Sequence, residues 1–534
     1  MKISFEEGIK IAEKLDKDMV FIPKGGFKFG ISRKEKENWA KKFKVHPDML
    51  YFHSDDLDIL TDGFYIDRYP VTKIQFINFM KETDYKIPFG GWQIGWFELG
   101  KEKVLERIKR NKWMIDWKIL SDIWDITEIE NAISPCVGVN HEDAIEYAKW
   151  LNKRLPNEIE WEKAARGTDG RIFPWGNEFE EEEMFLNIGN ANLNSLIPIG
   201  SFKKNRSPYG VMDMSGLVME WVKRVFPSKS KDGKNFDNQP YFLAGGSLFH
   251  RQPYSHFVTS RFSWSMYMRI YNTGFRCVSD LGKEEYKPFE IPKIKKGIPK
   301  RAKILSNLYL KEKIKLQPME WPTVKIFVPW FPESVWVIDT PETRWENFGG
   351  ANNWPGDDIS LWKLNWEIDK DKIYYKRVDG NREVEFEMES EGNLVNYKVK
   401  VKKIKGYLGN FCLKTLSPFF SSQERLTQNR IENGKLINCS SLPIENSANL
   451  SFLWSIGEVE NGICIYKGYL NDSFVVIFGP EGCKVGGNLW PPCTHLSGEN
   501  TEIKNEIEAK ILFFIGSFEQ LKKEIKKILK KDKK

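Results

Sequence analysis

A chain of 534 residues exceeds what one hydrophobic core usually organises and points to two or three domains. With 41% hydrophobic and 29% charged residues the composition is that of a soluble globular protein, and its 20 Trp and 36 Phe leave aromatic-rich cores and aromatic ligand surfaces equally open. Basic and acidic residues, 81 against 74, nearly balance and are spread along the chain, which gives nucleic-acid binding little support.

The opening MKISFEEGIKIAEKLDKDMV is broken by charge throughout, unlike a signal peptide or a membrane span, so a cytoplasmic protein without membrane contact is expected. Seven cysteines with no CxxC pair suit reduced core thiols better than a disulfide framework. Further on, HEDAIEYAKWL predicts a helix that places Ala144, Ile145, Ala148 and Leu151 on one face behind Asn140 as N-cap. NEIEWEKAAR begins with Asn157 and carries Glu160 three residues on, the arrangement of a capping box with Asn in the Ser/Thr place. Two helices among short, aromatic-rich strand-like runs predict an α+β domain over residues 1–280.

Residues 281–321 turn basic and proline-punctuated, as in KPFEIPKIKKGIPKRAK, and read as a solvated linker. Over 322–534, VKIFVPWF, VWVID, KIYYKRV, REVEFEME, NYKVKVKKI, SFVVIFG and AKILFFIG read as strands between Gly, Asn and Asp turns. The second domain is therefore expected to be mostly β and sandwich-like. At its end SFEQLKKEIKKILKKDKK predicts a helix capped by Ser517, with Phe518, Leu521, Ile525, Ile528 and Leu529 on its apolar face.

Several motifs of the first domain stand in the order used by one family. They are DMVFIPKGGFKFG (18–30), GFYIDRYPVTKIQFINFM (63–80), RLPNEIEWEKAARG (154–167), FPWGN (173–177), SPYGVMDMSGLVMEWV (207–222), AGGS (244–247) and TGFRC (273–277). Together, over about half the chain, they resemble the formylglycine-generating-enzyme, or sulfatase-modifying-factor, family. The resemblance implies a fold related to C-type lectins, low in regular secondary structure and held by buried aromatics. Trp161, Trp175 and Trp221, beside Gly and Pro, are expected to pack in that core.

Active members of that family hold copper(I) on two cysteines shortly after the GGS motif and use it with oxygen to oxidise a substrate cysteine. Here the stretch reads GGSLFHRQPYSHFVTSRF, and a gapless reading puts His250 and Ser255 at those positions. The thiolate pair that a soft ion requires is missing, and Cys277 matches a different family position, so neither copper nor formylglycine-generating activity is expected. His250 and His256 leave open a divergent oxidoreductase with another metal. The resemblance also implies a structural calcium on Asp213, the carbonyls of Gly216 and Val218, and Glu220, with Leu217 where the family has Asn. Closely spaced hard oxygens in a turn suit that ion.

What is left is an interleaved set of aromatic, guanidinium and imidazole groups: His250, Arg251, Tyr254, His256, Arg261, Trp264, Tyr267 and Arg269. Such groups bind peptides, sugars or anions, and the leading expectation is a non-catalytic protein whose partner is a peptide, glycan or protein, with Arg251, Arg261 and Trp264 bordering one cleft. In the second domain Trp354 and Trp490 are candidate sugar platforms, and Cys493 with His495 forms a two-ligand CxH.

Overall fold

In a computed structural model the chain divides into two compact units, one built essentially from residues 1–300 and the other from 301–534. The structure describes residues 1–50, 53–88, 107–108, 110–112, 114–179, 197–229, 235–237, 240–248, 250, 253–262, 269, 272–280 and 288–292 of the first half. In the second half it describes 304–318, 323–331, 336–339, 365–379, 382–402, 410–415, 428–433, 435–442, 453–458, 460–467, 472–479, 484–488, 493–497 and 506–532.

The first unit is α+β. Helix α1 (Phe5–Leu15) leads into strand β1 (Met19–Ile22), which pairs antiparallel with β2 (Phe64–Asp67), and α2 (Lys73–Thr83) follows. Helices α3 (His141–Trp150) and α4 (Glu158–Arg166) form where the sequence predicts them. Asn157 Oδ1 accepts from the amides of Ile159 and Glu160, and the Glu160 carboxylate accepts from Asn157 N at 2.9 Å, closing the capping box. A four-stranded sheet then gathers residues far apart in sequence: β3 (Met219–Lys223), β4 (Tyr241–Ala244), β5 (Arg261–Phe262) and β6 (Thr273–Gly274), in the order β5-β4-β3-β6. Strand β7 (Val278–Ser279) returns to the first sheet beside β2.

One core joins the two sheets. Trp161, Ala164 and Ala165 of α4 pack with Val20, Ile22, Phe64 and Ile66 on one side and Val222, Phe242 and Ala244 on the other. Trp161 and Trp221 are wholly buried, whereas Trp175, expected in the core, is half-buried and stacked on Phe173 with ring centroids 5.0 Å apart. Of the stretch read as a solvated linker, Phe289 and Ile291 pack against Leu15, Ile129, Ile133 and Ile199 of the first unit, because their apolar side chains find a cluster to cover. Lys315–Pro318 is the first strand of the second unit, and Tyr309 meets Trp330 edge-on.

Among the described residues the second unit forms antiparallel sheets of seven and nine strands. Trp336 of the smaller meets Phe513 of the larger, 5.1 Å between ring centroids. On the opposite face of the larger sheet, Phe474, Val476, Leu512 and Phe514 receive Leu521, Ile525 and Ile528 of the closing helix, α5 (Phe518–Asp532). The strand Ser473–Phe478 is thus buried along both faces, which explains its unbroken apolar run. Strands Arg382–Glu391 and Leu394–Lys402 instead alternate, turning Glu385 and Glu387 outward opposite Lys400 and Lys398.

Three helices of the first unit meet on one carboxylate. Asp16, at the end of α1, accepts hydrogen bonds from Tyr147 Oη of α3 at 2.5 Å and Gln75 Nε2 of α2 at 2.7 Å. Lys153 Nζ bridges the Asp16 carbonyl and the Asp67 carboxylate. Burial pushes the Asp16 carboxyl up to about 6, only partly offset by those donors. An unfolded Asp releases its proton near ~3.9, so this group favours the folded state at low pH and that contribution is lost as pH rises towards 6. Asp16→Asn keeps an acceptor for both donors. Its stability relative to wild type, read from thermal melts at the two pH values, should therefore improve from pH 4.5 to pH 7.5 by about 2 kcal/mol. A gap between the two proteins that does not change with pH would show that Asp16 is not held in this state.

Candidate functional site

The sheet order brings the family-like motifs together. Glu220 in β3 lies opposite Ala244 of the AGGS stretch and Gly274 of the TGFRC stretch, while Ala244 also faces Arg261. Glu220 and Arg276 are both fully excluded from solvent. Arg276 Nε and Nη2 hold the two carboxylate oxygens at 2.7 and 2.8 Å, and Trp161 Nε1 donates to the same carboxylate at 2.7 Å. The other guanidinium hydrogens reach the carbonyls of Asp67, Arg68 and Met212. A bidentate pair with every donor used is the form in which a buried ion pair is tolerated.

A tight turn precedes β3. Asp213 adopts φ 60° and Gly216 φ 87°, the left-handed region that Asp tolerates and Gly prefers. Gly216 is also required for space, since a Cβ there would lie 2.9 Å from His256 Nδ1. Asp213 is fully buried, its Oδ2 accepts from Gly200 N at 2.5 Å, and among the described residues its Oδ1 has no hydrogen-bond partner. Burial pushes its carboxyl up to about 7. Calcium needs hard oxygens with uncommitted lone pairs. Of the side chains inferred for that ion, Asp213 offers one and fits; the Glu220 carboxylate is already engaged by Arg276 and Trp161.

At the positions of the missing cysteines, His250 and Ser255 are wholly buried. Ser247 N donates to His250 Nδ1 at 3.0 Å, and a backbone N–H cannot accept, so the proton of this ring sits on Nε2. His256 Nε2 lies 2.7 Å from the His250 carbonyl, which only accepts, so that proton is likewise on Nε2. Burial keeps both imidazoles neutral, lowering His256 to about 4. His250 stacks against Phe262, centroids 4.8 Å apart. The Nδ1 lone pair of His250 is thus committed and its Nε2 carries hydrogen, so the two rings do not present a chelating pair of nitrogens. Among the described residues no cluster of three His, Cys, Asp or Glu is placed to hold a metal. Cys136 and Cys277 are buried free thiols, and burial raises both far above their ordinary range, away from the thiolate form.

The expected recognition cluster is divided by the structure. Arg261, read as bordering an open cleft, is buried: Nη2 pairs with Glu162 at 2.5 Å, Nε with Glu158 at 3.4 Å, and Nη1 donates to the carbonyls of Val258 and Ser260. Two carboxylates on α4 draw it inward, a long-range pairing that the loop's own composition does not reveal. Arg269 forms a bidentate pair with Asp143, which also accepts from Tyr85 Oη. Tyr254 lies in the core. Arg251, Trp264 and Tyr267 are outside the described residues, as are Trp354 and Trp490. Cys493 and His495 both fall in strand Cys493–Ser497. The sequence reading missed Arg276 as the partner of Glu220. It stood inside the quoted TGFRC motif, but a motif does not say which distant carboxylate a guanidinium will meet.

The AGGS turn, the buried Glu220–Arg276 pair and the sheet that joins them gather into one α+β scaffold the motifs that resemble the sulfatase-modifying-factor family. Residues 7–281 match the family described as sulfatase-modifying factor enzyme 1-like domain, and the chain belongs to this family. It is 27% identical to the uncharacterized protein YfmG of Bacillus subtilis over 304 residues, covering 50% of this chain and 56% of that protein. It is also 27% identical to the inactive C-alpha-formylglycine-generating enzyme 2 of Bos taurus, covering 50% of this chain and 89% of the relative. A third relative, the formylglycine-generating enzyme of Mus musculus, is 26% identical and covers 42% and 67%. No helix among the described residues is long and apolar enough to cross a membrane.

Arg261→Ala strips one of the two guanidinium groups from the buried Glu162 carboxylate, and should cost on the order of 3–5 kcal/mol in a thermal melt of the full chain. A loss under about 0.5 kcal/mol would return Arg261 to the surface.

Proposed function

We propose that this protein is a non-catalytic member of its family, a scaffold that recognises a peptide, glycan or protein ligand. The carrying observation is the state of His250 and Ser255, which stand where the thiolates would be and are packed inside the fold, with the His250 Nδ1 lone pair already used. A serine hydroxyl and an imidazole whose Nδ1 lone pair is used are poor replacements for the thiolates that copper(I) takes, and the relatives named inactive formylglycine-generating enzyme 2 support the reading. The committed nitrogen of His250 gives no support to an oxidoreductase built on His250 and His256. The likeness to C-type lectins belongs to the same proposal, supported by the short strands of the sheet around β3. So does a reducing, cytoplasmic setting, supported by the free buried thiols Cys136, Cys277, Cys439 and Cys464.

Recognition is assigned to the 248–270 segment through Arg251 and Trp264, Arg261 having moved into the core. Calcium in this reading is a structural ion at the turn leading into β3, held through Asp213, with Gly216 and Val218 contributing carbonyls and no part in chemistry.

Oxygen-dependent conversion of a CxPxR peptide to formylglycine should stay at the no-enzyme level with added copper(I). Copper-dependent product would overturn the reading. In parallel, Arg251→Ala/Trp264→Ala should lose the hit that a glycan or peptide array gives with wild type while keeping its melting temperature; retained binding would place recognition elsewhere.

A further inference from the structure

Two arginines far apart in sequence meet on the surface of the first unit. Met212 joins them: its amide donates to the Arg68 carbonyl at 2.8 Å, and its backbone bridges to that of Arg206. Both guanidinium groups then lie against Gly210. A Cβ on Gly210 would stand 3.3 Å from Arg206 Nη2 and 3.5 Å from Arg68 Nη1, so the two nitrogens are no further apart than those distances laid end to end. Like charges at this range repel, and the nearby acids do not balance both. Asp18 answers Arg68 alone, accepting from its Nε at 2.8 Å and from Phe289 N, while Arg68 Nη1 donates to the Gly210 carbonyl. Asp169 is held by Arg171, and Asp213 is fully buried. Arg206 and Lys203 of the same turn are exposed, and among the described residues neither side chain has an ion pair or a hydrogen bond. Arg68 Nη2 and the hydroxyl of the half-buried Tyr69 are likewise uncommitted among the described residues. That hydroxyl, kept protonated by burial, lies within electrostatic reach of both guanidinium groups.

We infer that Arg206, Arg68 and Tyr69 form an anion site whose ligand is a phosphate group, free or esterified. No residue of the 248–270 segment takes part, so the site stands independently of the recognition assigned there. A tetrahedral oxyanion accepting N–H bonds of ordinary length from both sides bridges a gap of this size. One guanidinium fills a carboxylate in a bidentate pair, whereas a phosphate keeps acceptor oxygens for a second guanidinium and for a hydroxyl. It also brings close to a double negative charge to a patch with two unmatched cations. Arg68 is fixed by Asp18 and the Gly210 carbonyl and presents Nη2, while Arg206 keeps all its donors for the ligand.

The test titrates the full chain by calorimetry at constant ionic strength with inorganic phosphate and with a short phosphoserine peptide. Chloride and the unphosphorylated peptide serve as blanks. Wild type should bind a phosphate probe above its blank, and Arg206→Ala should weaken that binding about tenfold. Arg206→Glu should abolish it, and Arg206→Lys should keep part of it, because a point charge remains without the fork. All three should melt with wild type, since the Arg206 side chain is exposed and holds no partner in the fold. Lys523→Ala, which removes an exposed cation from the second unit, should bind as wild type does. Tighter binding of the phosphopeptide would support the site with a protein-borne phosphate as its source, and equal affinities would support it with free phosphate. Three results would overturn the inference: no heat above the blanks with either probe, unchanged affinity in Arg206→Glu, or an equal loss in Lys523→Ala, the mark of net charge alone.

Discussion

Glu220 and Arg276 form an ion pair with no access to water, and the elements of the first unit converge on it. Glu220 comes from the middle of the four-stranded sheet, Arg276 from the segment between β6 and β7, and Trp161 from α4, while the carbonyls that complete the guanidinium belong to the end of β2 and the turn before β3. Taking two charges out of water is costly, and the arrangement persists because each hydrogen is matched. That constraint explains why short strands and irregular loops suffice here. A domain with little regular sheet is held by a few buried, hydrogen-bonded polar nodes, at Glu220, at Glu162 and at Asp16, between which the aromatic core packs.

The same logic accounts for the packing behind the AGGS turn. The scaffold keeps the AGGS turn: a Cβ at Gly246 would lie 2.5 Å from the Ser255 carbonyl, so the turn and the segment after it are packed in contact. Within that close packing, His250 accepts from Ser247 N and stacks on Phe262. The segment after the turn is therefore a filled interior around His250 and Ser255.

Much of this was legible in the sequence where local rules decide. The capping box at Asn157 and Glu160, the apolar face of α5 and the alternation in Arg382–Glu391 all rest on spacing of a few residues. Long-range pairing was not legible. Arg261 reads as a loop guanidinium until Glu158 and Glu162 are brought against it, and Glu220 reads as a calcium ligand, with nothing local to announce its pairing with Arg276. The segment 281–321 reads as solvated because its charges dominate, although Phe289 and Ile291 are enough to pin part of it. In the second unit strand identities followed from pattern, but the order of the nine- and seven-stranded sheets depends on partners more than a hundred residues apart, such as Leu394 with Leu512.

The account's central claim is that the family scaffold is present without its metal chemistry, and copper(I) binding tests it most directly. Purified full-length chain is equilibrated with copper(I) against a competing chelator, beside a His250→Cys/Ser255→Cys variant that restores the two thiols. Wild type should retain no copper at chelator concentrations at which the double variant holds about one ion per chain. Stoichiometric copper on wild type, lost on His250→Ala, would contradict the account.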